Sequence, residues 1–389
     1  MKSNYNQLGQ YIEMVSRTNS DLKYGIEDVR GCSNTKQMMQ TRANLIGRTY
    51  EKFIVLRPQE FVFNRRTTRN GEKIGMAYNN TDREYIFTND YVAFRVKQEY
   101  LDKLLPDYLY MFFCRDEFDR YARYKSTGSA TEFFNWEDMC AVPFEIPPMD
   151  FQQLVVNAYK VLNERIETKQ KINDNLDSTM QAIYKNSFVD FTPFKSEPTC
   201  ATKLGEIPAS WSVCKFCDLC DLLNGRAYSQ EELLDSGKYR VLRVGNFFTK
   251  NSWYYSDMEL EDNKYCYPDD LLFCWSASFG LYIWNDVKTI YHYHIWKIDF
   301  SKTAPYYREY IFLYLKQELN KLSKEGHGSV MAHLTKSGVE NLDIVSPPEE
   351  IIKQFHNSII PFIEHKKLVE KEVQQLTELR ESILSKMVS

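Results

Sequence analysis

PPMDFQQLVVNAYKVLNERIETKQKINDNLDSTMQAIYKNSF, residues 147–188, decides the fold of this chain, together with its counterpart PPEEIIKQFHNSIIPFIEHKKLVEKEVQQLTELRESILSK at 347–386. In the first stretch Leu162, Ile166, Lys169, Asn173, Leu176, Met180 and Ile183 fall at alternating steps of four and three. In the second, Phe362, Lys366, Val369, Val373, Leu376, Arg380 and Ile383 occupy the same seven positions. That is the spacing of a coiled-coil seam. Lys169 and Asn173 stand where the second stretch has Val369 and Val373, and Lys366 and Arg380 stand where the first has Ile166 and Met180. A polar seam residue lowers stability but selects partner and register. The two helices are therefore expected to pair with each other rather than with copies of themselves. Pro361 is expected to start or kink the second coil segment, because proline is tolerated only in a first helical turn.

Working outward, the landmarks around these helices recur. Gly128-Ser129 returns as Gly328-Ser329, and Pro147-Pro148 as Pro347-Pro348, both at an offset of 200. Tyr110-Met111-Phe112-Phe113 lies over Tyr310-Ile311-Phe312-Leu313 in the same register. Nearer each start the offset grows by about ten: Pro58-Gln59-Glu60-Phe61-Val62-Phe63 resembles Pro268-Asp269-Asp270-Leu271-Leu272-Phe273. One unit of about 190 residues is used twice. Ahead of each long helix, β-branched and aromatic runs broken by Asn, Asp and Gly predict strands, at 86–96, 240–244 and 291–298. Helices are predicted at 108–124 and 306–324.

Composition bounds the function. A length of 389 residues suggests two or three domains, and 43% hydrophobic with 26% charged residues is a globular balance. The most apolar stretch, 271–284, is too short to span a bilayer and is interrupted by Ser276, Ser278 and Gly280. The opening MKSNYNQLGQ has no apolar signal core, so a cytoplasmic protein with no membrane association is expected. Nine cysteines without a secretory signal point to reduced thiols. A net charge of −4 excludes a uniformly basic nucleic-acid coat but not a local basic patch. With 27 Tyr, 24 Phe and 6 Trp the chain is ring-rich, which favours strand-rich cores and stacking surfaces.

Most candidate chemistry is weak. Cys214, Cys217 and Cys220 have metal-site spacing, but no second CxxC follows, and Phe216 and Leu219 interleave as core residues would. His292 and His294 could share a strand face, but lone imidazoles among Tyr and Trp are more often packed than ligated. Asp269, Asp286 and Lys288 imitate the carboxylate-carboxylate-lysine set of magnesium-dependent nucleases, a common triplet. No phosphate loop and no nucleophile elbow is present, and neither Pro-Pro pair has the flanking residues with which an amino-methyltransferase holds its base. Positive charge is concentrated at 36–73, with nine basic residues against three acidic ones. There Arg65-Arg66-Thr67-Thr68-Arg69-Asn70-Gly71 reads as a polar loop suited to phosphate and base contacts. The bland alternative is a solvated hairpin.

Gly205-Glu206-Ile207-Pro208-Ala209-Ser210-Trp211 resembles the opening of a target recognition domain in the specificity subunits of Type I restriction–modification systems. Leu222-Leu223-Asn224-Gly225-Arg226-Ala227-Tyr228, then Tyr239 to Asn246, then Leu271-Leu272-Phe273 with Ser276 to Gly280, continue the pattern. Gly328-Ser329 with His333-Leu334-Thr335, the Pro-Pro pair and the long helix complete it. The first unit lacks that opening but keeps Phe63-Asn64-Arg65-Arg66 and Gly128-Ser129. The resemblance implies an α+β fold: two mixed α/β target recognition domains, 1–148 and 191–348, separated and joined by two long helices, 149–190 and 349–389, forming an antiparallel coiled coil. It implies no catalysis by this chain. Each domain would read half of a bipartite site in double-stranded DNA. Two methylase subunits would dock on the helices and bring S-adenosylmethionine, and motor-nuclease subunits could join. Expected DNA contacts are Arg65, Arg66, Arg69 and Ser129 in the first domain, and Arg226, Tyr228, Ser276, Ser278, Ser329, His333 and Lys336 in the second. The rival classes are the nuclease on Asp269, Asp286 and Lys288, and a coiled-coil scaffold that binds no DNA.

Overall fold

A computed structural model of the chain describes residues 6–41, 45, 47–67, 73–128, 132–248, 252–276, 279–324 and 335–387. The chain forms two units: residues 1–168 with 373–389, and residues 169–372. Each takes in part of both long helices, Met149–Phe188 and Glu349–Lys386.

In the first unit a four-stranded antiparallel sheet runs in the order Ile12–Val15, Tyr91–Val96, Phe61–Asn64, Met76–Tyr78. In the second the order is Asp221–Asn224, Ile295–Asp299, Leu271–Cys274, Gly280–Ile283, again antiparallel throughout. First strand, last strand, second, third: the same path is taken twice. The repeat extends to detail. Gln59 and Asp269, at the same place before the central strand, both hold a left-handed backbone, at φ 64° and 75°. The short helices Trp136–Cys140 and Lys336–Glu340 lie 200 residues apart, as do the carbonyls of Val142 and Leu342 that accept from the N–H groups of Leu8 and Phe216.

Alternation along the central strands explains why Phe61-Val62-Phe63 and Leu271-Leu272-Phe273-Cys274 are apolar throughout. Phe61 and Phe63 enter one core with Tyr108, Leu109, Phe113 and the long-helix residues Val155, Val156 and Tyr159. Val62 points the other way, into a second core with Leu56, Tyr85 and Phe87. Leu271 and Phe273 likewise join Tyr310, Phe355, Ile359, Met180 and Tyr184, while Leu272 and Cys274 join Leu242, Tyr291 and Trp284. Side chains of successive strand residues point to opposite faces, so a sheet covered on both sides reads as a continuous apolar run. Burying each such side chain contributes about 1.5–3 kcal/mol.

Two predicted strands divide. Residues 86–96 form Tyr85–Phe87, paired with Ile54–Leu56, and then Tyr91–Val96 in the main sheet. Residues 291–298 form Thr289–Tyr291, beside Tyr239–Leu242, and then Ile295–Asp299. In both units the chain changes sheet at a three-residue corner, Thr88-Asn89-Asp90 or His292-Tyr293-His294. His292 and His294 thus lie on a corner, not on a strand face. The helix predicted at 108–124 breaks at Cys114-Arg115 into Pro106–Phe113 and Asp116–Lys125. Pro361 neither starts nor ends its helix, which begins at Glu349 and continues through it. The carbonyl that loses its partner belongs to Asn357, which is exposed and can be hydrated instead.

The long helices pair antiparallel within each unit. In the second, Lys169 pairs with Glu372, and Asp177 accepts from Lys366 at 2.6 Å. In the first, Arg380 donates to Asn163 at 3.1 Å, and Ile383, Leu384 and Met387 pack beside Val155, Val156 and Tyr159. Lys169, Lys366 and Arg380 each reach a polar residue beside the opposite seam rather than one another, while Asn173 Oδ1 is buried with no hydrogen-bond partner among the described residues. Leu162, Ile166, Met180 and Val369 are buried as the spacing requires.

Candidate nucleic-acid interface

The end of the main sheet carries the candidate residues in both units. In the first, the buried strand Phe61–Asn64 emerges as Arg65 and Arg66, both exposed. The Arg66 N–H donates to Asn64 Oδ1 at 3.0 Å, and its guanidinium lies 3.4 Å from Asp90 at the corner. The Arg65 carbonyl accepts from Phe134 N–H at 2.9 Å, and Thr67 N–H donates to the Glu132 carbonyl at 3.0 Å. Thr127 and Phe133 exchange both backbone hydrogen bonds. The Arg65-Arg66 strand end is thereby tied to the segment flanking residues 129–131. Arg69 and Ser129 lie outside the described residues.

In the second unit the strand Leu271–Cys274 emerges as Trp275 and Ser276, both half-buried. Trp275 N–H donates to the His294 carbonyl at 3.2 Å, and its indole N–H to the Tyr293 carbonyl at 3.0 Å. The indole stacks on Trp296, centroids 5.5 Å apart, and meets the His294 ring edge-on at 5.3 Å. Across the corner, Arg226 N–H donates to the Tyr291 carbonyl, and the Arg226 carbonyl accepts from Tyr293 N–H, both at 3.0 Å. The approach is so close that a Cβ on Gly225 would lie 2.4 Å from the His292 carbonyl oxygen, so only glycine fits.

The Arg226 guanidinium is held by Glu232 at 2.6 and 3.1 Å and lies 5.1 Å from the Tyr228 ring centroid. That hydrogen-bonded pairing holds the Glu232 carboxyl down to about 2. Tyr228 is pushed up by burial, and its hydroxyl is buried without a hydrogen-bond partner among the described residues. Lys336 begins its short helix and pairs with Glu340 at 3.6 Å. Ser278, Ser329 and His333 lie outside the described residues.

His292 and His294, which sequence reasoning set aside, flank Tyr293, which it did not single out. The His292 ring lies 4.4 Å from that of Tyr293 and 4.7 Å from that of His294. Burial, the His294 ring and the Arg243 charge lower the His292 pKa to about 4, and burial and Arg243 also lower that of His294. Both imidazoles are neutral at physiological pH. The repeat itself was the signal that could have found this corner, because Trp275 stands 210 residues after Arg65.

The other motifs take separate places. Asp269 pairs with Lys367 and, at 3.6 Å, with Arg308; Asp286 pairs with Arg240 at 2.7 Å. Lys288 sits 3.8 Å from the centroid of the Tyr265 ring. The three are thus engaged by different partners. Cys220 lies in the core, its thiol pushed up by burial, and Cys214 is on the strand Ser212–Lys215 facing Ile344. No cluster of three or more His, Cys, Asp or Glu suited to a metal occurs among the described residues, and none of their helices is long and apolar enough to cross a membrane.

A chain built of two like α/β units and two paired long helices matches known proteins. Residues 208–378 match the family model of the Type I restriction modification DNA specificity domain. Over 300 residues the chain is 24% identical to the Type I restriction enzyme MjaIX specificity subunit of Methanocaldococcus jannaschii, covering 74% of this chain and 69% of that protein. It is 22% identical over 185 residues to the MjaVIII specificity subunit of the same organism, covering 46% of this chain and 41% of that one. A crystal structure of a Type-I restriction-modification system S subunit from M. genitalium superposes over 100% of this chain and 98% of its own, with a TM-score of 0.54 at 11% identity, a likeness of fold. The resemblance to Type I specificity subunits drawn from the sequence is borne out, as is the mixed α+β fold.

Proposed function

We propose that this chain is the DNA-reading, non-catalytic subunit of a Type I restriction–modification complex. The observation that carries the reading is the doubled unit: residues 208–378 match a DNA specificity domain, and the first unit follows the same strand path. Each unit reads one half of a bipartite target in double-stranded DNA. In the first unit Arg65, Arg66, Arg69 and Ser129 make the contacts. In the second they come from the loops bearing Arg226, Tyr228, Ser276, Ser278, Ser329, His333 and Lys336. The paired helices set the spacing of the half-sites and dock two methylase subunits, whose S-adenosylmethionine supplies the methyl group for adenine. Motor-nuclease subunits join the same complex in the cytoplasm.

The test is a helix insertion. Four residues added after Thr168 and four after Glu372 lengthen both helices by roughly 6 Å, close to two base pairs at about 3.4 Å each. Methylome sequencing of cells carrying the chain and its methylase should then show both half-sites retained with a longer spacer. An active variant that keeps the parental spacer would defeat the ruler. Methyl transfer by the purified chain alone would defeat the whole reading, and cleavage abolished by Asp269→Ala would favour a nuclease.

A further inference from the structure

The two sheet ends described above occupy one position in the repeat and carry opposite chemistry. Asn64 is followed by two arginines, of which Arg66 faces the carboxylate of Asp90. Cys274 is followed by an indole facing the imidazole of His294. We propose that the corner formed by Trp275, His292, Tyr293 and His294, flanked by Arg243, is the base-reading surface of the second unit and takes the major-groove edge of duplex DNA. The proposal rests on the functional reading above and adds the residues that decide the second half-site.

Three observations carry it. The corner is built rather than incidental: both Trp275 N–H groups are spent on its carbonyls, and the segment at Arg226 closes it from the other side. The indole and imidazole rings are therefore held in place while Tyr293 stays 40% exposed. A neutral imidazole offers one donor and one acceptor nitrogen, the pair of functions that base edges present in the major groove, and ring carbons suit the thymine methyl. Charge complementarity identifies the occupant. Arg243 is exposed beside the histidines, its guanidinium 5.1 Å from the Tyr254 ring centroid, and among the described residues no acid pairs with it, so it can meet a phosphate at the groove edge. The first unit, with Arg65 and Arg66, reads by charge; the second reads by neutral donors, acceptors and ring contact.

The experiment uses the complex with its methylase. Methylome sequencing of the parent defines both half-sites, and competition binding with duplexes altered at single positions then measures discrimination. Tyr293→Ala and His294→Gln should each relax discrimination within the second half-site by roughly 5- to 100-fold. They should leave the first half-site and the salt dependence unchanged. Arg243→Ala should lower affinity for all sequences and flatten the log-affinity against log-salt slope by about 0.9. Full discrimination in both Tyr293→Ala and His294→Gln would overturn the proposal, as would a salt-slope change in those two variants. Tyr293 is exposed, so its variant is not expected to unfold. If the parent complex recognises no bipartite sequence, the functional reading falls as well. If it does and the variants match it, only the assignment of this corner falls.

Discussion

The interiors of the two units hold different buried charges under the same sheet. In the first, Lys36 and Asp119 pair with side chains 4% and 6% exposed, and Asp119 also accepts from Ile74 N–H at 3.0 Å while Lys36 donates to the Ile74 carbonyl at 2.8 Å. In the second, the fully buried Glu309 takes Arg308 at 2.6 Å and His356 of the second long helix at 2.6 Å. Strand path, left-handed turn and sidedness are repeated; polar networks are not. Backbone geometry tolerates many apolar sequences of suitable volume, whereas a buried charge demands its own partner. The repeat is therefore one of scaffold, and each unit's polar groups are its own.

Breaking one interior should spare the other. Asp119→Ala leaves Lys36 buried without its anion and should cost about 3–5 kcal/mol. Hydrogen exchange should place the loss in residues 6–128 and not in 199–320. The double variant Lys36→Met with Asp119→Leu should recover much of it, since burying an ion pair gains little over an apolar pair of similar size. Equal loss of protection in both units would end the idea of separate interiors.

The outer contrast is sharpened at the first sheet end. Arg65→Ala and Arg66→Ala should each weaken binding at the first half-site, by ~1–3 kcal/mol at one base if the contact is to guanine. A lost phosphate contact would instead flatten the salt slope by about 0.9. The second half-site should be read as before. Binding identical to the parent at several salt concentrations would make these arginines a solvated strand end.

A smaller effect is expected between the helices. Asp177 lies between Lys366 and Lys316, at 2.6 and 3.2 Å, and these cations hold its carboxyl below the usual range against the opposing pull of burial. A double-mutant cycle over Asp177 and Lys366 should give a coupling of about 0.5–1 kcal/mol by denaturant unfolding. Because Lys316 remains, Asp177→Ala should cost more than Lys366→Ala. The reverse order would mean that Asp177 does not bridge the two.

A further effect is a pH slope. His292 titrates near 4 in the folded chain against 6.5 for a free imidazole, with His294, Tyr293, Tyr228 and Arg243 around it. A lowered folded value means that the unfolded chain takes up the proton first. This contribution to stability is complete above about pH 6.5 and is lost as pH falls towards 4. His292→Gln should therefore unfold with a shallower loss of stability between pH 6.5 and 4.5 than the parent. Parallel profiles would show that the imidazole is not held neutral by the corner.

The sequence by itself determined the doubled architecture and the mutual fit of the helices. Apolar periodicity and local landmarks are short-range features, and an offset of 200 can be read without coordinates. It also carried the family resemblance, through the run from Gly205 to Trp211 and the motifs that follow. Only the tertiary structure decided how 86–96 and 291–298 divide between sheets, because neither Asn89-Asp90 nor His292 to His294 marks which neighbour each half will pair with. It alone matched Lys366 to Asp177 and Arg380 to Asn163, contacts that span about 190 and 220 residues and depend on helix register. It alone set Trp275 against the His292–His294 corner. Those rings are brought together by sheet pairing between strands that are distant in sequence, and that distance is why the histidines read as packed residues until the fold placed them at the sheet end.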